Sequence, residues 1–299
     1  MIKYRTYAND SMFCADYYNL RNFLIELDAP RLHFGDWDWL FPGGWMDIKG
    51  MEKYGLWEDD GRIIAAATMN EYAFGSAFIH TLPGYEFLKQ EMLKYACDNF
   101  RKDGGLKVII PDGDGIFQSI TADSGFVPTQ DKESYSIYNI NDPKNISYSL
   151  PDGFRITSMA DDYDIFKYRQ VLWRGFDHEA NGEGPAIILD EELPHWHMSM
   201  KRPNVNLDLK IAVAAPNGDF VSYCGMWHDN ASDSALVEPV ATDPAYRRMG
   251  LGRAAVLEGV KRCGLLGTKR AYVGSSQQFY YSIGFRPYST STWWRNNEL

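Results

Sequence analysis

The segment from Glu238 to Ala255, EPVATDPAYRRMGLGRAA, constrains the fold more than any other part of the chain. An apolar strand is followed by a turn that contains proline, and a helix begins at the paired glycines Gly250 and Gly252. Glycine lets the backbone approach a ligand closely, and the first turn of a helix has N–H groups without partners. These groups, the positive end of the helix dipole and the mobile charges of Arg247 and Arg248 favour a phosphate. The segment therefore predicts a strand, a phosphate-binding loop and a helix in succession.

The same glycines, followed by Ala255, also match the dinucleotide-binding pattern G-x-G-x-x-G/A. In that pattern the glycines follow the strand directly, whereas the turn separates Val240 from Gly250 here. No acidic residue for a ribose hydroxyl occurs between Glu258 and Glu298, and too few residues follow to complete a doubly wound sheet. The P-loop pattern G-x-x-x-x-G-K-[ST] does not occur either. The loop is therefore neither a dinucleotide fingerprint nor a P-loop.

The two halves of the chain contain similar series of elements, which the spacing of apolar residues predicts. The second half is predicted to contain helices over 166–176, 250–263 and 277–282 and strands over 209–215, 220–227, 235–240, 270–273 and 285–294. The first half repeats this order, and each half has a short helix that ends in a glycine–phenylalanine pair, at Gly125 and at Gly284.

A polar stretch with two prolines, Ile140–Pro151, separates the halves and is predicted to be a linker. A chain of 299 residues is long enough for about two domains. We therefore predict two copies of one mixed α/β unit, a first domain over residues 1–140 and a second over residues 151–299.

Composition excludes several classes of protein. The sequence has 30 lysines and arginines against 40 aspartates and glutamates, a formal net charge of −10. This charge disfavours nucleic acid and anionic membrane surfaces as partners and weakly favours an amine-bearing small molecule. The four cysteines have no C-x-x-C spacing, and no carboxylate or cysteine stands at ligand spacing from His195 and His197, so we expect no metal site and no disulfide framework. The chain begins without an apolar signal core and lacks a run of about 18 apolar residues, so we expect a soluble, cytoplasmic protein.

Two motifs resemble those of the GNAT acetyltransferase superfamily. Arg247-x-x-Gly250-x-Gly252 satisfies that family's pyrophosphate loop, [Arg/Gln]-x-x-Gly-x-[Gly/Ala]. Phe279-Tyr-Tyr-Ser-Ile-Gly-Phe285 satisfies a second signature, Phe-Tyr-x-x-x-Gly-Phe, in the family's order and at a plausible separation. The resemblance covers about residues 153–299, and the first half is similar to the same fold without its motifs. It implies an α/β (α+β) fold of two tandem GNAT-like domains, each a mixed, mostly antiparallel sheet flanked by helices.

The resemblance also implies that acetyl-CoA binds as co-substrate between two splayed parallel strands. Its pantetheine would pair with the strand edge as an added strand does, and its pyrophosphate would lie on the amides of the glycine loop. The residues implied in this binding are Val240, Ala241, Thr242, Arg247, Arg248, Met249, Gly250, Leu251, Gly252 and Arg253. No metal is implied.

Direct attack of an amine on a thioester requires a base for the amine proton and an acid for the departing thiolate. Tyr280 occupies the position of the family's general-acid tyrosine, and the alternative is an aromatic side chain that packs on the sheet. Glu238, near the end of the strand, is the candidate base, and the alternative is a surface carboxylate.

The first half lacks these features. An alignment of Gly125 with Gly284 places Thr121 at the position of Tyr280, and a threonine hydroxyl is a poorer acid than a phenol. Glu86 brings negative charge to the position where phosphate is expected. We therefore expect a degenerate first domain that has lost cofactor binding.

The sequence thus predicts an N-acetyltransferase that transfers an acetyl group from acetyl-CoA to the amine of a small-molecule acceptor. A non-catalytic acyl-CoA-binding or regulatory protein is the main alternative. A tandem aminoacyl transferase that uses charged tRNA is a second one, disfavoured by the acidic charge and the intact loop. The acceptor and the oligomeric state stay open.

Overall fold

The computed structural model describes residues 1–41, 49–69 and 75–297. The strands are β1 (Lys3–Thr6), β2 (Gly55–Asp59), β3 (Arg62–Met69), β4 (Ser76–Thr81), β5 (Gly105–Pro111), β6 (Val127–Asn139), β7 (Arg155–Ser158), β8 (Lys210–Ala214), β9 (Phe220–Trp227), β10 (Ser234–Thr242), β11 (Arg270–Val273) and β12 (Arg286–Asn297). The helices are α1 (Ala15–Leu27), α2 (Phe34–Leu40), α3 (Lys89–Asn99), α4 (Gly115–Asp123), α5 (Ile165–Gly175), α6 (Leu193–Lys201), α7 (Leu251–Leu265) and α8 (Gln278–Ser282).

The chain divides into two units that do not follow each other simply along the sequence. The first consists of Met1–Tyr135, Gly274–Ser276 and Pro287–Leu299, and the second of Ser136–Val273 and Gln277–Arg286. The predicted boundaries, 1–140 and 151–299, differ from this division because they leave the C-terminal strand in the second domain.

The first unit is a mixed sheet in the order β1-β2-β3-β4-β5-β12, in which β4 and β5 are parallel and the other pairs antiparallel. Buried residues recur at helical spacing on α1, as at Tyr17, Leu20 and Leu24, and on α3, as at Met92 and Ala96. These faces pack with β3 into one core.

The C-terminal strand belongs to the first unit because it pairs with β5, from Ser291 opposite Pro111 to Asn297 opposite Gly105. Two hydroxyl groups of this strand region, those of Thr290 and Thr292, each donate to the Asp112 carboxylate at 2.6 Å. Alternation of apolar residues predicts a strand and its two faces, but it does not identify the partner strand.

The second unit is a sheet in the order β6-β11-β10-β9-β8-β7, in which only β10 and β11 are parallel among the pairs described. Successive residues of β8 point to opposite faces: Ile211 and Val213 lie in a core with α7, and Ala212 and Ala214 in a core with α5 and α6. Helix α7 lies close to β9, since a Cβ atom on Gly259 would stand 2.7 Å from Cγ of Met226. The predicted mixed α/β architecture is confirmed.

The segment Ile140–Pro151 is more ordered than the predicted linker. Ile140 and Ile146 are buried in the core with α7, and Pro143–Asn145 forms a short 3₁₀ turn. The Tyr148 hydroxyl donates to the Glu258 carboxylate on α7 at 2.7 Å. The segment therefore packs as part of the second unit, because a few apolar residues in a polar stretch suffice to anchor it to a helix.

Within the described ranges, no helix combines the length and the apolar character that a membrane span requires.

Candidate active site

The parallel strands β10 and β11 separate partway along their length. Their register runs from Ser234 opposite Arg270 to Leu236 opposite Tyr272. Beyond this point β10 continues to Thr242, held on its other edge by β9. Among the described residues, the edge of β10 that faces β11 therefore has no strand partner from Val237 onward. Such an edge can accept an extended ligand as an added strand.

A β-bulge lies where the two strands separate. Val237 pairs with Met226 and Val240 pairs with Cys224, so Gly225 on β9 is opposite both Glu238 and Pro239. The indole Nε1 of Trp227 donates to the Glu238 carbonyl at 2.8 Å. Where two residues of one strand lie opposite a single residue of its neighbour, the strand bends and its side chains change direction. The bulge thus places Glu238 at the mouth of the gap.

The glycine loop connects β10 to α7. Gly250 has a φ of +83°, a left-handed conformation that glycine adopts without strain, and α7 begins at the next residue. The first-turn amides, those of Leu251, Gly252 and Arg253, have no hydrogen-bond acceptor in the described part of the chain. A Cβ atom on Gly252 would lie 3.0 Å from the Thr242 hydroxyl oxygen, so the loop packs against the end of β10. These free amides at a helix start fit a phosphate.

Arg247 is held in place, so the prediction that its charge is mobile is wrong. Its Nε donates to the Thr242 carbonyl at 3.2 Å, and its Nη2 donates to the Gly175 carbonyl at 2.9 Å and to Asp177 at 2.8 Å. The side chain thereby ties the loop to the end of α5. The exposed side chains of Arg248 and Arg253 carry the positive charge that stays available at the loop.

Tyr280 lies on α8 with 7% of its surface exposed. Its ring packs edge-on against Phe279 and Phe285, with centroid distances of 5.0 and 5.5 Å. Its hydroxyl has no hydrogen-bond partner among the described residues. Burial raises the pKa of Tyr280, and the nearby Cys224 thiol and Glu238 carboxylate raise this pKa further. The phenol therefore stays protonated at neutral pH and can donate a proton.

The Glu238 carboxylate lies close enough to Tyr280 for its negative charge to raise the pKa of the phenol. Glu238 is half-buried rather than a fully exposed surface carboxylate. The predicted strand residues Val240, Ala241 and Thr242 form the unpaired edge between it and the loop.

The sequence analysis does not single out two tyrosines of the core that α5 and α6 cover. Tyr168 on α5 and Tyr223 on β9 are each 1% exposed, with ring centroids 4.9 Å apart. Neither hydroxyl has a hydrogen-bond partner among the described residues. Both positions fit the apolar spacing of their elements, so the pattern predicts only core residues. In the sequence, only the hydroxyl group of the side chain distinguishes these two residues from the other core residues of their elements.

In the first unit, the polar side chains near the equivalent helix starts are bonded to other groups of the fold. Strands β4 and β5 also pair over a short stretch, at Ser76 and Ala77. The buried Lys89 at the start of α3 forms an ion pair with Asp114. The hydroxyl of Thr121, the counterpart of Tyr280, donates to the Phe117 carbonyl at 2.7 Å.

No set of three or more histidine, cysteine, aspartate or glutamate side chains is placed to hold a metal ion within residues 1–41, 49–69 and 75–297.

Comparisons with known proteins agree with this geometry. Residues 173–285 match the model of the Acetyltransferase (GNAT) family. No curated protein sequence matches the chain. A GCN5-related N-acetyltransferase from Sphaerobacter thermophilus is similar in structure, with a TM-score of 0.58 and 13% identity over 99% of this chain and 95% of that one. A tandem GNAT protein from the clavulanic acid biosynthesis pathway has a TM-score of 0.58 and 12% identity over 99% and 98% of the two chains. A GNAT-family acetyltransferase from Colwellia psychrerythraea has a TM-score of 0.58 and 10% identity over 99% and 100%. The resemblance found in the sequence is confirmed to this extent: residues 173–285 match the model of the GNAT acetyltransferase family, and the fold of the chain is similar to that of GNAT proteins.

Proposed function

We propose that the second unit is an N-acetyltransferase that transfers an acetyl group from acetyl-CoA to the primary amine of a small molecule. The observation that carries this proposal is the phenol of Tyr280, which is buried, protonated and without a described partner beside a gap between parallel strands. The ring is packed in the core and the hydroxyl is not bonded within the described fold, so the O–H group is available to a ligand.

The residues present fit acetyl-CoA. The pyrophosphate would be held by the free amides of Leu251, Gly252 and Arg253, with Arg248 adding positive charge. The pantetheine would pair with the unpaired edge of β10, at the residues from Val240 to Thr242.

The catalytic roles follow from charge and position. Glu238 accepts the proton that the amine nitrogen loses as it bonds to the acetyl carbon. Tyr280 donates its proton to the sulfur as the bond from sulfur to the acetyl carbon breaks. The proton balance is restored through solvent, and the products are an amide and a free thiol.

We assign the first unit a supporting role without acetyl-CoA. Lys89 and Asp114 neutralise each other at the start of α3, and Thr121 uses its hydroxyl inside α4. Glu86, which accepts from the Gly84 amide at 3.0 Å, keeps negative charge where phosphate would be needed.

The test is release of free thiol from acetyl-CoA in the presence of a panel of primary amines. Thiol release that depends on one or more amines, with an acetylated product of the expected mass, supports the enzyme. Binding of acetyl-CoA without thiol release for any amine would instead identify a non-catalytic acyl-CoA-binding protein.

A further inference from the structure

Arg169 on α5 lies between two indole rings. Its guanidinium carbon is 4.1 Å from the ring centroid of Trp173 and 5.0 Å from that of Trp196 on α6. Both distances are in the range of cation–π contacts, to which the planar guanidinium is well suited because it stacks on aromatic faces. The positive charge is therefore fixed between α5 and α6.

The two indole rings are themselves held in place. The Trp173 Nε1 donates to the Gly184 carbonyl at 2.9 Å, and the ring is stacked on the His178 ring at a centroid distance of 4.0 Å. The Trp196 ring packs against the core that α5 and α6 cover, 6.4 Å from the ring of Tyr168. The guanidinium is thus positioned before any ligand binds, which lowers the entropic cost of binding.

The N–H groups of Arg169 have no acceptor in the described part of the chain. The Nε atom is buried, so a ligand can approach the guanidinium only from its Nη side. Burial lowers the pKa of Arg169, but an arginine stays charged at neutral pH. The Nη donors and their charge are therefore available to an anionic ligand.

The acidic side chains around Arg169 are bonded to other groups. The charges of the Glu192 and Glu183 carboxylates act on Arg169. Glu192 accepts from the Leu189 amide at 3.2 Å, and Glu183 is paired with the His178 ring at 2.8 Å. Their negative charges would repel a doubly charged phosphate more strongly than a singly charged carboxylate. The surroundings of Arg169 therefore favour a carboxylate as its ligand.

Arg169 is on the helix that packs against the strand proposed to hold acetyl-CoA. A Cβ atom on Gly175, at the end of α5, would stand 2.6 Å from the Cβ atom of Ala241 on β10. Arg247 of the glycine loop donates to the Gly175 carbonyl at 2.9 Å. Arg169 precedes Gly175 on the same helix by about 9 Å along the axis. A small acceptor can span this distance.

One row of side chains leads from Arg169 to the end of α5. Arg169, Trp173 and Phe176 are spaced i, i+4 and i+7, which places them on one face of the helix. Phe176 directly follows α5, next to Gly175, and is 48% exposed. An acceptor that lies along this row would place its carboxylate at Arg169 and its amine near the end of β10.

We propose that Arg169, Trp173 and Trp196 form a carboxylate subsite, in which the Nη atoms of Arg169 donate to the two carboxylate oxygens of the acceptor. This inference rests on the proposed function and names its substrate class: primary amines that carry a carboxylate several bonds from the amine nitrogen, rather than plain alkylamines or polyamines. Hydrogen bonds between charged groups correspond to a preference of about 10- to 100-fold in kcat/KM over a neutral analogue.

The experiment compares two matched pairs of amines on the full chain. The flexible pair is 6-aminohexanoate and 6-aminohexanamide, and the rigid pair is 4-(aminomethyl)benzoate and 4-(aminomethyl)benzamide. Within each pair a neutral amide replaces the carboxylate, far enough from the amine to leave the pKa of the amine nearly the same. We expect the carboxylate of at least one pair to exceed its amide by about 10-fold or more in kcat/KM.

Variants assign this preference to Arg169. Arg169→Gln should reduce the ratio of kcat/KM between carboxylate and amide to about one. Arg169→Lys keeps the charge but lacks the planar pair of donors, so it should reduce the ratio by about 3- to 10-fold. The matched control is Arg155→Gln, which removes the same charge from an exposed position of the same unit, 4.0 Å from Asp162, and should keep the ratio.

Melting curves separate a binding role from a packing role. If Arg169 served only to hold α6 against α5, Arg169→Gln would lower the melting temperature and leave the ratio unchanged, which would overturn the subsite. The lysine of Arg169→Lys still offers a cation to the indole rings. This variant therefore tests the contact with the carboxylate even if Arg169→Gln does not fold.

Failure of the inference and failure of the proposed function give different results. Thiol release at equal kcat/KM within both pairs overturns the subsite and leaves the acetyltransferase intact. If no amine releases thiol, binding of the same amines is measured by calorimetry. Binding of a carboxylate about 10-fold more tightly than its amide, with the difference reduced in Arg169→Lys, then supports the subsite without the reaction. Equal or undetectable binding overturns it.

Discussion

A Cβ atom on Gly225 would lie 2.4 Å from the carbonyl oxygen of Glu238 on the neighbouring strand. The backbone of the proposed base, Glu238, can therefore occupy its position only because Gly225 on β9 has no side chain. Because Gly225 is opposite both residues of the bulge, the backbone at Glu238 can approach β9 closely and receive the hydrogen bond of Trp227.

Gly225→Ala should therefore push the bulge outward. We expect a decrease of about 1–3 kcal/mol in the free energy of unfolding, as for other overpacked interiors. Turnover should fall at the same time, because Glu238 moves. Gly113→Ala is the matched control, since no atom lies within 4 Å of its added Cβ. Denaturant unfolding and thiol release measure the two effects, and unchanged values for Gly225→Ala would show that the bulge does not position the base.

Gly252→Asp should abolish acetyl-CoA binding. The added side chain would meet Thr242 and Phe279, and its carboxylate would bring negative charge to the free amides at the start of α7. Titration calorimetry measures the affinity, and a melting curve verifies the fold. Gly113→Asp introduces the same group at an exposed, uncrowded position and should bind acetyl-CoA as the wild type does. Retained affinity in Gly252→Asp would place the phosphate elsewhere.

One equivalent of acetyl-CoA should bind per chain. The second unit has a glycine loop with free amides, whereas in the first unit Lys89 is neutralised by Asp114 and Thr121 is bonded within α4. Titration calorimetry of the whole chain should give a stoichiometry near one. A value near two would contradict the degenerate first unit.

Local signals in the sequence predicted much of the second unit. The hairpin predicted over 209–215 and 220–227 is observed as Lys210–Ala214 and Phe220–Trp227, and the helix predicted over 250–263 is α7, Leu251–Leu265. These elements have clear periodicity and turn residues, which depend on neighbours along the chain.

Features that depend on distant residues were not predictable in the same way. The pairing of the C-terminal strand with β5 joins residues far apart in sequence, and so do the hydrogen bonds of Arg247 to Gly175 and Asp177. Tyr168 and Tyr223 have the spacing of core residues, and only the three-dimensional structure reveals that their hydroxyls lack described partners.

His33 in the first unit should make folding sensitive to acid. Burial lowers the pKa of His33 to about 3 from an ordinary 6.5, with the Arg21 charge as a second cause. Above pH 6.5 neither state binds the proton, and between pH 6.5 and about 3 only the unfolded state does. The contribution of neutral His33 to the free energy of unfolding is therefore complete above pH 6.5. It decreases as the pH is lowered, by up to about 1.4 kcal/mol per pH unit.

The check is urea unfolding of wild type and His33→Asn between pH 7 and 5. Asparagine can still accept the Gly35 amide bond that His33 Nδ1 accepts at 3.0 Å, so the cap of α2 is kept. Between pH 7 and 5, the free energy of unfolding of the variant should decrease by about 2 kcal/mol less than that of the wild type. Identical slopes for wild type and His33→Asn would contradict the prediction.

Tyr280→Phe provides the sharpest test of the proposed mechanism. It removes one hydroxyl that has no described partner and keeps the ring that packs against Phe279 and Phe285. Acetyl-CoA affinity should change little, because the loop amides and the β10 edge remain. Turnover should fall by about 10²- to 10⁴-fold, the usual contribution of a positioned general acid.

A loss confined to turnover identifies a group that acts in the transition state rather than in ground-state binding. Tyr281→Phe, one residue along the same helix, is the control and should keep normal turnover. If Tyr280 served only for packing, Tyr280→Phe would retain nearly normal turnover as well. That result would transfer the acid's role to water or to another residue, because the phenol would then contribute only its ring.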